Sequence, residues 1–321
     1  MTDCEKLQLR ITRRTRETDD IVALELRHSA DKPLPAFSPG AHIEINVAPG
    51  VTRQYSLCNA PADRHRYVVG ILNDPASRGG SKAIFENFRE GMLVETSLPR
   101  NHFPLRGGKK SILLAGGIGI TPLLCMAEAL HSEGADFALH YCVRSRLKAA
   151  FRERIASSPF RSCVQFHCDD EDESQKLKPD SVFAGATPHT EIYVCGPGGF
   201  IDWICSEADR AGIHKDRVHF EYFNAKEVDT SQDHAFDVQV SNTGIVLHVP
   251  ADKSVAEVLI EAGVDLYTSC AEGTCGTCMT RILEGVPEHR DVFLTEEEKV
   301  SGKVFTPCCS RSKTPLLILD L

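Results

Sequence analysis

Three cysteines near the C terminus, Cys270, Cys275 and Cys278, constrain the fold of this 321-residue chain more than any other feature. Their spacing is C-x4-C-x2-C, and two further cysteines, Cys308 and Cys309, follow later in the chain. A short run of three with a distant fourth is typical of thiolates that hold two irons in a 2Fe-2S cluster. Zinc sites favour paired short spacings, and isolated buried thiols require no spacing at all. The pattern therefore predicts a cluster whose fourth ligand is Cys308 or Cys309.

The middle of the chain predicts a nucleotide site on an α/β sheet. From Lys109 onward, continuous apolar strands alternate with helical segments, which is the pattern of a parallel sheet. One strand ends in GGIGITP, residues 116–122, and another ends in YVCGP, residues 193–197. The first turn precedes a helix, so backbone amides and the helix N terminus can hold a pyrophosphate, although the turn lacks the G-x-G-x-x-G fingerprint. Both strand ends are expected at the sheet edge where ligands collect.

The first hundred residues predict a β-barrel. Short alternating runs such as LQLRITR, IVALEL and HIEINV are separated by proline and glycine, and several strands at this spacing suggest a barrel. After HFEYFNA, the polar stretch KEVDTSQDH has few large apolar side chains and predicts a linker. The segment FDVQVSNTGIVLHVP then predicts a pair of strands that opens a third unit.

Composition narrows the possible functions. With 42% hydrophobic and 25% charged residues the chain is expected to be globular, and it lacks an uncharged apolar run long enough for a membrane span or a signal peptide. We therefore expect a cytoplasmic protein, in which the 13 scattered cysteines favour metal or redox chemistry over a disulfide framework. Residues 226–321 carry 16 acidic and 8 basic residues, a field that disfavours nucleic acid. This acidity suits docking onto a basic protein surface, although a merely solvated face would look the same.

These motifs together resemble a known class of reductases. SCAEGTCGTCMTRILEG resembles the plant-type ferredoxin domain, with a match from about Phe236 to the C terminus. The pair GGIGITP and CGP resembles the nicotinamide-binding domain of the ferredoxin-NADP reductase family, and RQYS at 53–56 and RGGS at 78–81 resemble its flavin motifs. The order of barrel, nucleotide domain and C-terminal ferredoxin resembles the phthalate dioxygenase reductase class of Rieske oxygenase partners, across essentially the whole chain.

The resemblance implies that the barrel binds a flavin, and FMN rather than FAD. In the family, the arginine of RQYS meets a phosphate, the tyrosine lies along the flavin and the serine hydroxyl sits near flavin N5. The amides and serine of RGGS hold phosphate, and an aromatic residue before the linker covers the flavin. A surface arginine, a loop serine and a core phenylalanine would fit the same positions. The implied flavin-binding residues are Arg53, Gln54, Tyr55, Ser56, Arg78, Gly79, Gly80, Ser81 and Phe223.

The resemblance also implies NADH as the electron donor. In the family, the cysteine of CGP lies beside the nicotinamide and the threonine of the glycine-rich turn reaches the cofactors. The resemblance therefore implies that Thr121 and Cys195 are catalytic residues, together with Ser56. The alternative for Cys195 is an inert cysteine in the core. A carboxylate after the strand VQFHC would bond the adenosine ribose, and Asp169 is the first candidate, with Asp170 or Glu171 as alternatives. The implied nucleotide-binding residues are Gly116, Gly117, Gly119, Thr121, Asp169, Cys195, Gly196 and Pro197.

For the cluster, the shared ending SRSKTPLLILDL implies that Cys308 is the fourth ligand, beside Cys270, Cys275 and Cys278. Cys309 would then be a small buried hydrophobe. NADH delivers two electrons as a hydride and the cluster takes one, so a flavin is required between them.

We therefore expect a multi-domain chain, and its boundaries are as follows. An antiparallel β-barrel flavin domain spans residues 1–106, an α/β parallel-sheet nucleotide domain 107–225, a linker 226–235 and an α+β, β-grasp-like ferredoxin domain 236–321. The expected function is that of a Rieske oxygenase reductase, which passes electrons from NADH through FMN and the 2Fe-2S cluster to a separate terminal oxygenase that attacks aromatic rings or demethylates. The alternatives are the reductase of a quaternary-amine monooxygenase and a non-catalytic electron-carrier or redox-sensing module.

Overall fold

The protein is described by a computed structural model that covers residues 6–48, 51–75, 79–224 and 229–321. Its chain divides into two compact units, residues 1–222 and 223–321. In the covered ranges, every helix is too short or too polar to cross a bilayer.

The first part of the first unit is a six-stranded antiparallel barrel. Its strands are β1 (Lys6–Arg16), β2 (Ile21–His28), β3 (His42–Ala48), β4 (Val51–Ser56), β5 (Tyr67–Leu72) and β6 (Leu93–Ser97), with helix α1 (Gly80–Asn87) between β5 and β6. The strand order is β4-β3-β6-β1-β2-β5, and a bridge between Leu57 and Val69 joins the two ends of the sheet. Alternate residues such as Leu9 and Ile11 are fully buried, so the period-two pattern of the sequence fills the barrel interior.

The rest of the first unit is a parallel α/β sheet. Its elements are β7 (Lys110–Gly116), α2 (Ile120–Ser132), β8 (Asp136–Val143), α3 (Arg152–Ala156), β9 (Val164–Cys168), α4 (Pro179–Phe183), β10 (Thr190–Gly196), α5 (Gly198–Arg210) and β11 (Val218–Tyr222). The order β11-β10-β7-β8-β9 places β7 and β10 side by side in the centre, with all neighbours parallel. Consequently, the loops that follow β7 and β10 meet at one edge of the sheet.

The second unit is a small mixed sheet with helices. Its elements are β12 (Phe236–Val240), β13 (Val246–Val249), α6 (Val255–Glu261), β14 (Thr280–Glu284), β15 (Pro287–Glu288), α7 (Glu296–Ser301), β16 (Val304–Phe305), β17 (Arg311–Ser312) and β18 (Leu316–Leu319). The main sheet has the order β13-β12-β18-β14-β16, and its central pair, β12 and β18, runs parallel. Capping boxes at Ser254 and Thr295 start α6 and α7. The predicted barrel, parallel sheet and β-grasp-like architectures are confirmed.

Candidate functional site

A cradle for an anion forms where α1 begins. Gly79, the residue before the helix, has a φ of 92°, which favours glycine, and a β carbon on Gly80 would lie 2.6 Å from Nε of Arg53. The guanidinium of Arg53 therefore lies against the positive end of the helix. The Ser81 hydroxyl is buried there and has no hydrogen-bond partner among the described residues. A cation, a helix N terminus and an orphaned hydroxyl fit a phosphate group, although Arg78, also predicted here, lies outside the described residues.

The neighbouring residues of β4 have different surroundings. Tyr55 is half-buried, and its hydroxyl is fully buried without a partner in the described ranges, which is the condition expected of a side chain that meets an absent ligand. Burial raises the pKa of the Tyr55 hydroxyl, so it stays protonated. Gln54 instead donates to Glu44 at 3.2 Å, which ties this predicted flavin residue to the adjacent strand.

The end of β4 meets a carboxyl group that the sequence analysis missed. Ser56 is 5% exposed and hydrogen bonds to the side chain of Glu221, on β11. Burial raises the pKa of Glu221 to about 8, and its Oε2 atom is buried without a partner in the described part of the chain. Cys195 pairs in register with Glu221 across β10 and β11 and is fully buried, so the structure brings Ser56, Cys195 and Glu221 together. Burial also raises the pKa of Cys195, which keeps its thiol neutral.

The glycine-rich loop packs directly on the same place. A β carbon on Gly119 would lie 2.1 Å from the carbonyl oxygen of Cys195, so only glycine allows this approach. Gly117 has a φ of 53° and turns the chain into α2. Thr121 is 2% exposed and donates to the Ile118 carbonyl at 3.0 Å, which fixes its hydroxyl in the first turn of that helix.

Two further glycines and a proline lie where the glycine-rich loop contacts the loop after β10. Gly116 and Gly196 leave room for the ring of Phe200, which would lie 2.9 and 3.0 Å from β carbons at the two positions. Pro197 is the residue from which α5 begins. The two predicted turns, residues 116–122 and 195–197, thus lie in direct contact at the carboxyl edge of the sheet.

The carboxylates after β9 are not equivalent. Glu171 is bound by Arg146, with Oε1 2.5 Å from the guanidinium Nε. Asp169 and Asp170 are exposed at the end of the strand, and their amides donate to the carbonyls of Val143 and Arg144. Asp169 therefore occupies the strand end that the sequence predicts for the ribose. Phe223 directly follows β11 and is half-buried.

The predicted cluster cysteines converge in the second unit. Sγ of Cys278 lies 3.3 Å from Sγ of Cys308, and hydrogen bonds from the Cys275 and Cys308 thiols lower the pKa of Cys270. The Cys309 thiol hydrogen bonds to the Cys308 thiol and also lies 3.3 Å from the Thr306 hydroxyl. The thiols of Cys270, Cys275, Cys278 and Cys308 thus lie in mutual contact, and Cys308 stays the predicted fourth ligand.

The loop around these thiols suits a buried anionic group. Gly273 and Gly276 have φ values of 75° and 68°, and β carbons there would collide with Cys309 and Phe293. The amides of Glu272 and Thr277 lie 3.4 Å from the sulfurs of Cys270 and Cys275. Amide donors that face thiolate sulfurs are the usual support of an iron-sulfur cluster. The residues present therefore fit a 2Fe-2S group.

Comparison with known proteins agrees with this geometry. Residues 238–313 match the family of 2Fe-2S iron-sulfur cluster binding domains. The chain is 49% identical to a vanillate O-demethylase oxidoreductase of Pseudomonas putida, over 97% of this chain and 98% of the relative. It also superposes on phthalate dioxygenase reductase with a TM-score of 0.77, at 39% identity over 98% of both chains.

The chain belongs to the phthalate dioxygenase reductase family. A larger protein, an intact type IV self-sufficient cytochrome P450 monooxygenase, matches 98% of this chain with a TM-score of 0.85 and 36% identity; the chain covers 41% of that protein. The reductase is therefore an oxidoreductase of an oxygenase system, with an electron path that includes flavin and a 2Fe-2S cluster.

Proposed function

We propose that the reductase oxidises NADH and passes the electrons through FMN and its 2Fe-2S cluster to a separate terminal oxygenase. The observation that supports this best is the meeting of Ser56, Cys195 and Glu221 beside the glycine-rich loop. Bound FMN supplies the conversion between a two-electron donor and a one-electron acceptor. The reaction belongs in the cytoplasm, where NADH is supplied. The proposed domains are residues 1–106 for FMN, 107–225 for NADH, 226–235 as linker and 236–321 for the cluster.

The chain's own residues supply binding and proton positions. Arg53, Arg78 and the start of α1 at Gly79 to Ser81 hold the FMN phosphate, while Tyr55, Gln54 and Phe223 border the flavin. The loop of Gly116, Gly117 and Gly119 holds the pyrophosphate of NADH with Gly196 and Pro197, and Asp169 bonds its ribose. The cradle, the orphaned hydroxyls and the contact between the two loops support the roles of Arg53, Tyr55, Ser81 and the glycines. The roles of Arg78, Gln54, Phe223 and Asp169 follow from the family resemblance.

Ser56, Cys195 and Thr121 have the proposed catalytic roles, and Glu221 hydrogen bonds to Ser56. Because the pKa of Glu221 is about 8, its carboxyl is mostly protonated at pH 7 and shares a proton with the Ser56 hydroxyl. The buried Cys195 thiol is neutral, so it excludes water and contacts the nicotinamide without acting as a nucleophile. Thr121 presents a hydroxyl that its own helix turn holds in place.

The proposed acceptor is the oxygenase of an aromatic O-demethylase. The relative at 49% identity is named vanillate O-demethylase oxidoreductase, so a methoxylated aromatic acid is the proposed substrate of the partner. The acidic balance of residues 226–321 suits a basic docking surface on that partner and disfavours nucleic acid. A quaternary-amine monooxygenase is the second candidate partner. A pure electron carrier is disfavoured, because such a module does not require the proposed NADH site at which Gly119 packs against Cys195.

The proposal is tested with the full chain, prepared anaerobically. We expect about two irons and one FMN per chain, as the cluster spacing and a single phosphate cradle require. NADH should bleach the flavin in stopped-flow measurements, and vanillate should be demethylated when the matching oxygenase is added. Cys275→Ser should remove the cluster and stop demethylation while flavin bleaching continues, because the hydride site lies on other residues. If this variant binds FMN but is not reduced by NADH, the proposed order of carriers is wrong.

A further inference from the structure

Phe151, the residue before α3, has a backbone conformation that a residue with a β carbon rarely adopts. Its φ and ψ are 57° and 17°, in the left-handed region, and its side chain is only 3% exposed. Residues at the start of a helix usually have extended dihedral angles instead. A strained, buried aromatic residue persists only where its surroundings hold it, and such residues cluster at functional sites.

A carboxylate from the barrel holds Phe151 in place. The amide of Phe151 donates to Oε2 of Glu17 at 2.8 Å, and Glu17 follows β1 in the barrel. The Phe151 carbonyl accepts from the amide of Ile155 at 2.9 Å, so both backbone groups of the strained residue are bonded. Beside this contact, Lys148 and Asp20 form an ion pair at 2.7 Å, with side chains 45% and 34% exposed.

The ring of Phe151 lies close to Gly70 and to Thr121, one of the proposed catalytic residues. A β carbon on Gly70, in β5, would lie 3.2 Å from both Cε2 and Cζ of Phe151 and 2.8 Å from the methyl group of Thr121. The Phe151 ring, the bare backbone of Gly70 and the Thr121 side chain therefore meet at one point. This point joins a barrel strand to the first turn of α2, the helix that follows the glycine-rich loop.

We propose that Glu17 and Phe151 are positioning residues for NADH oxidation. The Glu17 carboxylate keeps the backbone of Phe151 in the left-handed conformation. The Phe151 ring then packs at Gly70 and sets the distance between β5 and Thr121. Without the carboxylate, Phe151 relaxes towards negative φ, its ring leaves Gly70 and Thr121 loses its support. The inference rests on the proposed function, which gives Thr121 a catalytic role in NADH oxidation.

The test compares four variants of the full chain. Glu17→Ala removes the oxygen that accepts from the Phe151 amide, and Glu17→Gln keeps an acceptor oxygen. Gly70→Ala adds a methyl group where the Phe151 ring and the Thr121 side chain meet. Asp20→Ala is the matched control, because it breaks the neighbouring exposed ion pair on the same hairpin. The measurements are hydrogen exchange of the peptide 148–154, the dissociation constants of FMN and NAD⁺, the melting temperature and the rate of flavin bleaching by NADH.

Glu17→Ala should speed hydrogen exchange at residues 148–154, weaken NAD⁺ binding about tenfold and slow flavin bleaching at least tenfold. Rate losses of this size are expected because a small displacement of groups at a reaction site lowers the rate by an order of magnitude or more. Glu17→Gln should restore most of each quantity. Gly70→Ala should reproduce the NAD⁺ and bleaching defects with exchange at 148–154 little changed, and Asp20→Ala should match the wild type in NAD⁺ binding and bleaching.

A different outcome is expected if the hydrogen bond between Glu17 and Phe151 has only a structural role. Glu17→Ala would then lower the melting temperature, while NAD⁺ affinity and bleaching stayed at wild-type values, and the positioning role would be refuted. If Glu17→Ala does not fold, wild-type kinetics in Gly70→Ala refute it equally well. Wild-type protein that NADH does not reduce would instead overturn the proposed function.

Discussion

Asp233 and Arg290 form a bidentate ion pair, with Oδ2–Nη1 and Oδ1–Nη2 distances of 2.9 and 2.5 Å. Their side chains are 7% and 10% exposed, and Arg311 adds a contact at 3.7 Å to the same carboxylate. Arg311 also donates to the carbonyl of His234 at 2.9 Å. The end of the segment predicted as linker is thus attached to the second unit, while residues 226–228 of that segment lie outside the described residues.

Removing this carboxylate should destabilise the second unit. Among the described residues, Asp233→Ala leaves the largely enclosed guanidinium of Arg290 with Glu288 as its remaining ionic partner, and removing one member of such a hydrogen-bonded pair costs about 1–3 kcal/mol. Denaturant unfolding followed by cluster absorbance gives the change in the free energy of unfolding. Asp229→Ala, an exposed change in the same segment, is the control and should have little effect. Equal losses from both substitutions would show that the ion pair contributes nothing specific.

The identity of the fourth cluster ligand gives a second prediction. Cys308→Ser should abolish the cluster, because the sulfur of Cys308 lies among the other three, whereas Cys309→Ser should retain it. Iron content, acid-labile sulfide and visible absorbance of anaerobic samples distinguish the variants. A cluster retained in Cys308→Ser and lost in Cys309→Ser would reverse the assignment.

The sequence predicts those parts of the site that are local. The cysteine spacing and the glycine-rich turns are short patterns whose chemistry depends on adjacent residues, so their positions could be read directly. Glu221 was missed because its role depends on pairing with Cys195 across two parallel strands and on Ser56 from the barrel. The only signal was a carboxylate near the end of the strand HFEYF. Asp233 was missed for a similar reason, since its partner lies 57 positions away.

Nucleotide preference should depend on the exposed carboxylate that follows β9. Asp169→Ser should narrow a preference for NADH over NADPH that we expect to be about a hundredfold in kcat/KM, because the carboxylate repels a 2′-phosphate. Glu171→Gln is the control, since Glu171 is already bound by Arg146. Steady-state kinetics with both nucleotides provides the comparison. A wild type that uses NADPH as well as NADH would place the discriminating group elsewhere.

The last prediction concerns the pH dependence caused by Glu221. Burial raises its pKa in the folded protein to about 8, above the ordinary value of 4.5, so the folded state favours the protonated carboxyl. The corresponding stabilisation is complete below about pH 4.5 and is lost progressively as the pH rises through 8. Glu221→Gln, which cannot ionise, should lack this component of the stability profile.

The same substitution should alter kinetics. The rate of flavin bleaching by NADH should change across pH 8 in the wild type, and Glu221→Gln should remove that transition. Glu133→Gln, an exposed change at the end of α2, is the control and should keep both profiles. Urea unfolding and stopped-flow absorbance between pH 5 and 9 measure the two effects. If Glu221→Gln and the wild type show parallel profiles throughout, Glu221 does not titrate in this range and its proton is not part of the reaction.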